Sequence, residues 1–323
     1  MKAAAAEESW AQLCAGFGAL LWAGTAVLAR LGVAPIGAIE LMFLFAPLVI
    51  VPLAFELRRI IATDTPLARL ARRAQPVAAA LALVGLWLPP GRPAACLACV
   101  WMVVCLSMTV TAIVDLLTLA RPQADNSSGS TFHRGAIAIA QLDLAVGGAW
   151  FVASRFGMRP IRIQEPIGLL TAVHFHYAGF ATAMIAAAML RFVEERGESQ
   201  WLKGLVAVVV VMPLLVAAGF VISPLLKMSG GVGFSVSIAG LAVALRSCAK
   251  KVESSTARIL FHVASVSVFA GMVLSTAYAI ADFRGSDVLP TPQMARTHGI
   301  LNAVGFCLPG LLGWLVENGA NSQ

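Results

Sequence analysis

Charge is what this chain has least of. Only 12% of its 323 residues are Asp, Glu, Lys or Arg, against 59% hydrophobic, too little polar surface to cover a soluble globule of that size. Tyrosine is limited to 2 residues and histidine to 5, so each polar ring calls for its own explanation. Familiar catalytic machinery is missing as well. No GxSxG, P-loop, GxGxxG or HExxH occurs, which removes the working parts of serine hydrolases, nucleotide-binding folds and zincins. No internal repeat is visible, so the inverted-repeat signature of many secondary transporters has no support. Cys14, Cys96, Cys99, Cys105 and Cys307 lie in apolar runs and Cys248 in a basic loop, which is no disulfide framework. Cys96 and Cys99 form a CxxC without the further ligands zinc needs, leaving packing as their reading. The opening MKAAAAEESW is acidic where a cleavable signal would be basic, so the first apolar run is expected to stay in the protein.

Long hydrophobic runs remain. Mean hydropathy is +0.85, and apolar segments near the length of a membrane crossing recur at 11–29, 36–55, 76–90, 94–120, 135–153, 166–190, 204–223, 230–245, 259–281 and 298–316. The fold class expected is all-α, a polytopic transmembrane helix bundle of about 9–10 spans. It is read as a single bundle domain over 1–323 with no soluble domain, multi-pass in the cell membrane. Net charge is +7, but the Lys and Arg residues lie between spans, so membrane lipids are the expected partners and nucleic acid is not. Fourteen basic residues follow spans two, four, six and eight, and nine, Lys2 among them, fall elsewhere. The richer loops are assigned to the cytoplasm, which on this grouping puts both termini outside. Asn126–Ser130, NSSGS, reads as a flexible connector.

A titratable side chain in hydrocarbon costs from about 2.5 kcal/mol upward, so such groups point to function by default. The run QEPIGLLTAVHFHYAGF brings Glu165, His174, His176 and Tyr177 into or beside one span. On a straight helix Glu165 and His176 fall within about 20° in projection, yet roughly 16 Å apart along the axis. His174 and His176 diverge by about 200°, so they address different neighbours rather than one metal ion. Pro166 suits a first helical turn, and Glu165 before it either serves a site or is simply a favourable charge at a helix N-terminus. His298 and Asn302, four apart, share a face of the last span, with Thr297 beside its mouth. Both segments begin on the outer side, with Glu40 at similar depth, and a shared extracytoplasmic cavity is the expectation.

Asp143 lies mid-span near Gln141, with Trp150 on the same face. It is either a carboxyl that burial keeps protonated as an acid, or an interhelical hydrogen-bond anchor. Asp115, one turn after Thr111, and His262 near inner helix ends read as snorkelling or helix-end groups, and Asp282 and Arg284 as solvated loop charges. Tyr177 reads either as a site residue or as a tyrosine satisfied by one hydrogen bond.

The pairing of EPIGLLTAVHFHYAGF with MARTHGILNAVGF near the C-terminus resembles the YndJ-like membrane protein family, whose members carry similar LTAVHFHY and THGxxNAxGF segments. The resemblance implies a polytopic bundle with these histidines at its centre. It supports Glu165, His174, His176, Tyr177, His298 and Asn302; Asp143 rests on its own chemistry. Some relatives extend into a soluble C-terminal region, whereas this chain stops soon after its last span, so activity is expected from the bundle.

Three functions compete. The first is a membrane-embedded acid/base enzyme on a hydrophobic or amphiphilic small-molecule substrate, of isomerase, cyclase or epoxide-opening type. Glu165 or Asp143 would be the acid, and His174, His176 and His298 the base or orienting groups. The second is a proton- or ion-coupled transporter using the same groups as a relay. The third, metal or haem binding with Glu165 or Glu40 completing the shell, ranks last because the HxH histidines diverge, and neither metal nor cofactor is called for.

Overall fold

A computed structural model describes residues 2–120, 132–197, 200–286 and 290–320; the NSSGS connector lies outside the described residues. Among the described residues, ten long helices follow one another: α1 Lys2–Arg30, α2 Ala38–Ile61, α3 Pro66–Trp87, α4 Arg92–Leu119, α5 Phe132–Phe156, α6 Ile167–Glu194, α7 Gln200–Ile222, α8 Pro224–Ala249, α9 Ser255–Phe283 and α10 Pro292–Gly319. The same residues include no strand. Nine of the ten helices, all but α3, are long and apolar enough to cross a membrane, and the protein is an all-α, multi-pass membrane protein. Several starts follow from local chemistry. Thr65, Ser223 and Ser254 accept hydrogen bonds from the backbone N–H three residues on, and Pro66 and Pro224 take the first helical position.

The helices form two compact units, one of residues 1–123 and 138–181, the other of 124–137 and 182–323. In the first, α3 begins with Arg69, Arg72 and Arg73 inside its first turns, residues that the sequence places in a loop. It nonetheless has the length of a crossing. Arg58, near the end of α2, lies 3.4 Å from Asp115, near the end of α4, so α2 and α4 end at one level. Because α3 starts where α2 ends and finishes where α4 starts, it traverses the same thickness. Its 22 residues rise about 33 Å, enough for a hydrocarbon core of about 30 Å. Gly85 brings the pair close, since a Cβ there would sit 3.2 Å from the Ala94 carbonyl oxygen.

Trp22 of α1 donates its indole N–H to the Leu41 carbonyl at the start of α2, 2.7 Å away. The end of α1 therefore meets the start of α2, and α1 itself starts on the opposite face, with Arg58, Arg59 and Arg69. In the second unit both Glu317 oxygens accept backbone N–H groups, of Glu253 at 3.0 Å and Ser254 at 3.1 Å. The end of α10 thus lies beside the basic Lys250–Lys251 turn.

The second unit centres on Trp314, whose ring lies 4.6 Å from Phe261 and 5.3 Å from Phe192, centroid to centroid. Asp282, expected as a solvated charge, instead ends α9 in an ion pair with Lys227 at 2.6 Å. Among the described residues, four wide π-helical turns interrupt the long helices, at Ala46–Ile50, Phe175–Ala181, Ala295–Gly299 and Ala303–Cys307. Such turns are uncommon and gather at functional sites.

Candidate functional site

Two prolines shape the centre of the first unit. In α2 the Ala46 N–H bonds to Phe43 O, and Pro47 has no N–H to offer, so the Met42 carbonyl is left without a helical donor. The Tyr177 hydroxyl supplies one at 2.8 Å. One turn on, the Val51 N–H goes to Ala46 O and Pro52 again lacks a donor, which frees the Pro47 carbonyl for the Gln75 amide of α3. Tyr177 and Gln75 are thus anchors between helices. For Tyr177 the reading of a buried tyrosine satisfied by its hydroxyl bond fits the geometry.

The wide turn Phe175–Ala181 of α6 carries the rest. His176 is fully buried, its Nδ1–H donating to Ala172 O at 2.8 Å. That fixes the tautomer, and the Nε2 lone pair accepts the Trp101 indole N–H at 3.1 Å. The imidazole stacks on Trp101 at 5.9 Å and meets Phe43 edge-on at 5.2 Å. Both ring nitrogens of His176 are thus engaged in hydrogen bonds. Gly147 of α5 makes room for it, since a Cβ there would fall 2.6 Å from Nδ1. His174, two residues earlier, lies on an exposed face with Nδ1 2.7 Å from Leu170 O.

Asp143 stands across from the same turn. Its side chain is 2% exposed and no protein donor reaches Oδ2. Gly179 lies directly against it: a Cβ there would sit 2.8 Å from that oxygen and 2.7 Å from the Asp143 Cβ. Leaving a buried acceptor unpaired costs about 1–3 kcal/mol, and in a native structure it asks for a reason. On the same helix Gln141 donates to the Thr111 hydroxyl at 3.3 Å while its Oε1 is also unpaired. Gln141 is thus a hydrogen-bond anchor between α5 and α4.

At the end where α2 and α6 start, Glu165 is exposed and accepts the Leu169 N–H at 3.1 Å, while Glu40 accepts the Gly37 N–H at 3.1 Å. Both carboxylates cap helix starts, and both face the charge of the buried Arg155. Sequence reasoning counts Arg155 as a loop charge. At the inner end it reads Asp115 as a snorkelling group, where the structure pairs it with buried Arg58. That pairing links positions too far apart in sequence for any spacing argument. Glu165 and His176, expected to share a face, differ in burial because Glu165 precedes the helix and His176 lies in a π turn.

In the second unit His298 Nδ1–H donates to Gly271 O of α9 at 2.9 Å. Asn302 donates to His298 O at 2.7 Å, and its amide nitrogen lies 3.4 Å from His298 Nε2. The pair is half-buried. Gly271 is required by proximity, since a Cβ there would lie 2.8 Å from the Asn302 amide, and Gly305 fits against Ser267 in the same way. Thr297 bonds back to Gln293 O at 2.9 Å, and His262 is half-buried. Among the described residues, no three His, Cys, Asp or Glu side chains come together as a metal site.

A family model described as YndJ-like protein matches residues 41–306. Of curated proteins, the Uncharacterized membrane protein YndJ of Bacillus subtilis (strain 168) is 31% identical over 179 residues. That alignment takes in 54% of this chain and 31% of the Bacillus protein, so the matched part is about a third of the relative's length. No solved structure matches the chain.

Proposed function

The chain belongs to the YndJ-like family, and from that footing we propose that it is a membrane-embedded acid/base enzyme acting on a hydrophobic or amphiphilic small molecule. Asp143 is its proton carrier. The observation behind this reading is the Asp143 carboxyl, buried with an unpaired oxygen against the backbone of a π turn. The polar side chains of that turn are themselves engaged: Tyr177 by Met42, His176 by Ala172 and Trp101. A carboxyl so held meets the first requirement of a general acid, an oxygen free to approach a substrate atom within hydrogen-bond reach. Isomerisation, cyclisation and epoxide opening all need one such proton transfer and no cofactor. Tyr177 and His176 then act as positioning residues, Glu165 and His174 as groups near the rim, and His298 with Asn302 as a second polar pair.

A second reading, a proton-coupled transporter, draws on the charged groups at both ends of the first unit, Arg155 with Glu165 and Glu40 at one and Arg58 with Asp115 at the other. Purified protein in detergent, incubated with a total lipid extract and followed by mass spectrometry, separates the two. The enzyme reading expects a product made by the wild type and not by Asp143→Asn. Absence of any product, together with an Asp143-dependent proton flux in sealed proteoliposomes, would establish the transporter instead.

A further inference from the structure

A cleft of about 450 Å³ opens between α1, α2 and α3 at the arginine-rich end of the first unit. That volume lies in the range of small-molecule sites. Its walls include Trp10 and Cys14 from α1 and Phe55 from α2, and its polar groups are Glu56 from α2 with Arg72, Arg73 and Gln75 from α3. Glu56 is 1% exposed. One of its oxygens holds the Arg59 guanidinium, whose Nε lies 2.9 Å away, while Oε2 is buried with no partner. Arg72 is anchored by Asp64 at 2.7 Å. Arg73 is exposed and makes no ion pair among the described residues.

These groups sit towards the arginine-rich ends of the helices, at the interfacial depth favoured by tryptophan and by lipid headgroups. We propose that the cleft binds one phospholipid whose headgroup carries a hydrogen-bond donor, as phosphatidylethanolamine and phosphatidylglycerol do. The acyl chain lies along Trp10 and Phe55, the phosphate meets Arg73 and Arg72, and the headgroup donor meets Glu56 Oε2. Charge complementarity selects the phosphate. The unpaired carboxylate oxygen selects the donor, because a headgroup without one leaves it buried and unsatisfied. This site is independent of Asp143 and stands whether or not the chain proves to be an enzyme.

Native mass spectrometry of the full chain in mild detergent tests it, with phosphatidylethanolamine, phosphatidylglycerol, phosphatidylcholine and inorganic phosphate as separate probes. A single bound lipid is expected for the first two, with phosphatidylcholine about tenfold weaker, the loss that one unpaired charged group entails. Arg73→Glu, a surface change, should weaken both lipids about tenfold, and the isosteric Glu56→Gln should alter the preference among headgroups with the fold intact. Equal binding of all three lipids by wild type and both variants would overturn the proposal. So would inorganic phosphate binding as tightly as the lipids, which would make the site one for a free anion.

Discussion

Gly179 lies so close to Asp143 that a Cβ added to it would come within 2.8 Å of the carboxylate Oδ2. The wide turn of α6 and the mid-span carboxylate of α5 therefore form one structural element. Gly179→Ala is expected to displace Asp143 and to cost about 1–3 kcal/mol by overpacking. Gly16, where an added Cβ would meet nothing within 4 Å, is the control, and Gly16→Ala should change stability by no more than about 0.5 kcal/mol. Thermal unfolding in detergent measures both, and equal effects would remove the contact from the account.

The Trp101–His176 hydrogen bond makes a second prediction. Trp101→Phe leaves the buried Nε2 acceptor unpaired, at a cost of about 1–3 kcal/mol. Combined with His176→Phe the penalty should be less than additive, with a coupling of about 0.5–3 kcal/mol in a double-mutant cycle. Strict additivity would mean the two rings do not act as a pair.

Tyr177 and Pro47 should be coupled through one carbonyl. Tyr177→Phe deprives Met42 O of its donor and is expected to cost about 1 kcal/mol or somewhat more. Pro47→Ala restores a backbone N–H beside that carbonyl, so Tyr177→Phe should cost less in the Pro47→Ala background. The unfolding midpoints of the four proteins decide it; an undiminished cost would show that Pro47 is not what leaves the carbonyl free.

Helix positions are legible in the sequence because runs near twenty apolar residues have few other structural uses. Their ends are less so: α3 starts at Pro66 rather than near 76, since its arginines continue the helix into the interface. The wide turns are invisible to an argument built on 100° per residue, although Pro47 and Pro52 in APLVIVP mark one of them. Asp143 stands out in the sequence as a polar group mid-span, but its neighbour Gly179 looks there like any packing glycine. Glu56 and Arg155 escape notice because both sit within a few residues of helix ends, where a charge ordinarily snorkels.

The corner between α2 and α3 should respond to acid. Burial pushes the Asp64 carboxyl up, but the Arg72 hydrogen bond and charge, reinforced by Arg69, outweigh it and hold it below its ordinary 3.8. A carboxyl depressed in the folded state stabilises above its unfolded value and loses that contribution as pH falls through the folded one. Wild type should therefore exceed Asp64→Asn in unfolding midpoint at neutral pH, with the gap closing as pH drops below 3.8. A gap independent of pH would mean that the Asp64 charge contributes nothing.

Proton transfer by Asp143 is tested most directly by isotope. Protein purified in detergent, with no compartment to transport across, is incubated with total lipid extract in D2O, and deuterium entering carbon positions is read by mass spectrometry. Incorporation into a lipid species is expected with wild type and none above background with Asp143→Asn of equal monodispersity. Equal incorporation by both proteins would contradict proton transfer by Asp143, and so would a wild type that neither incorporates deuterium nor makes any Asp143-dependent product.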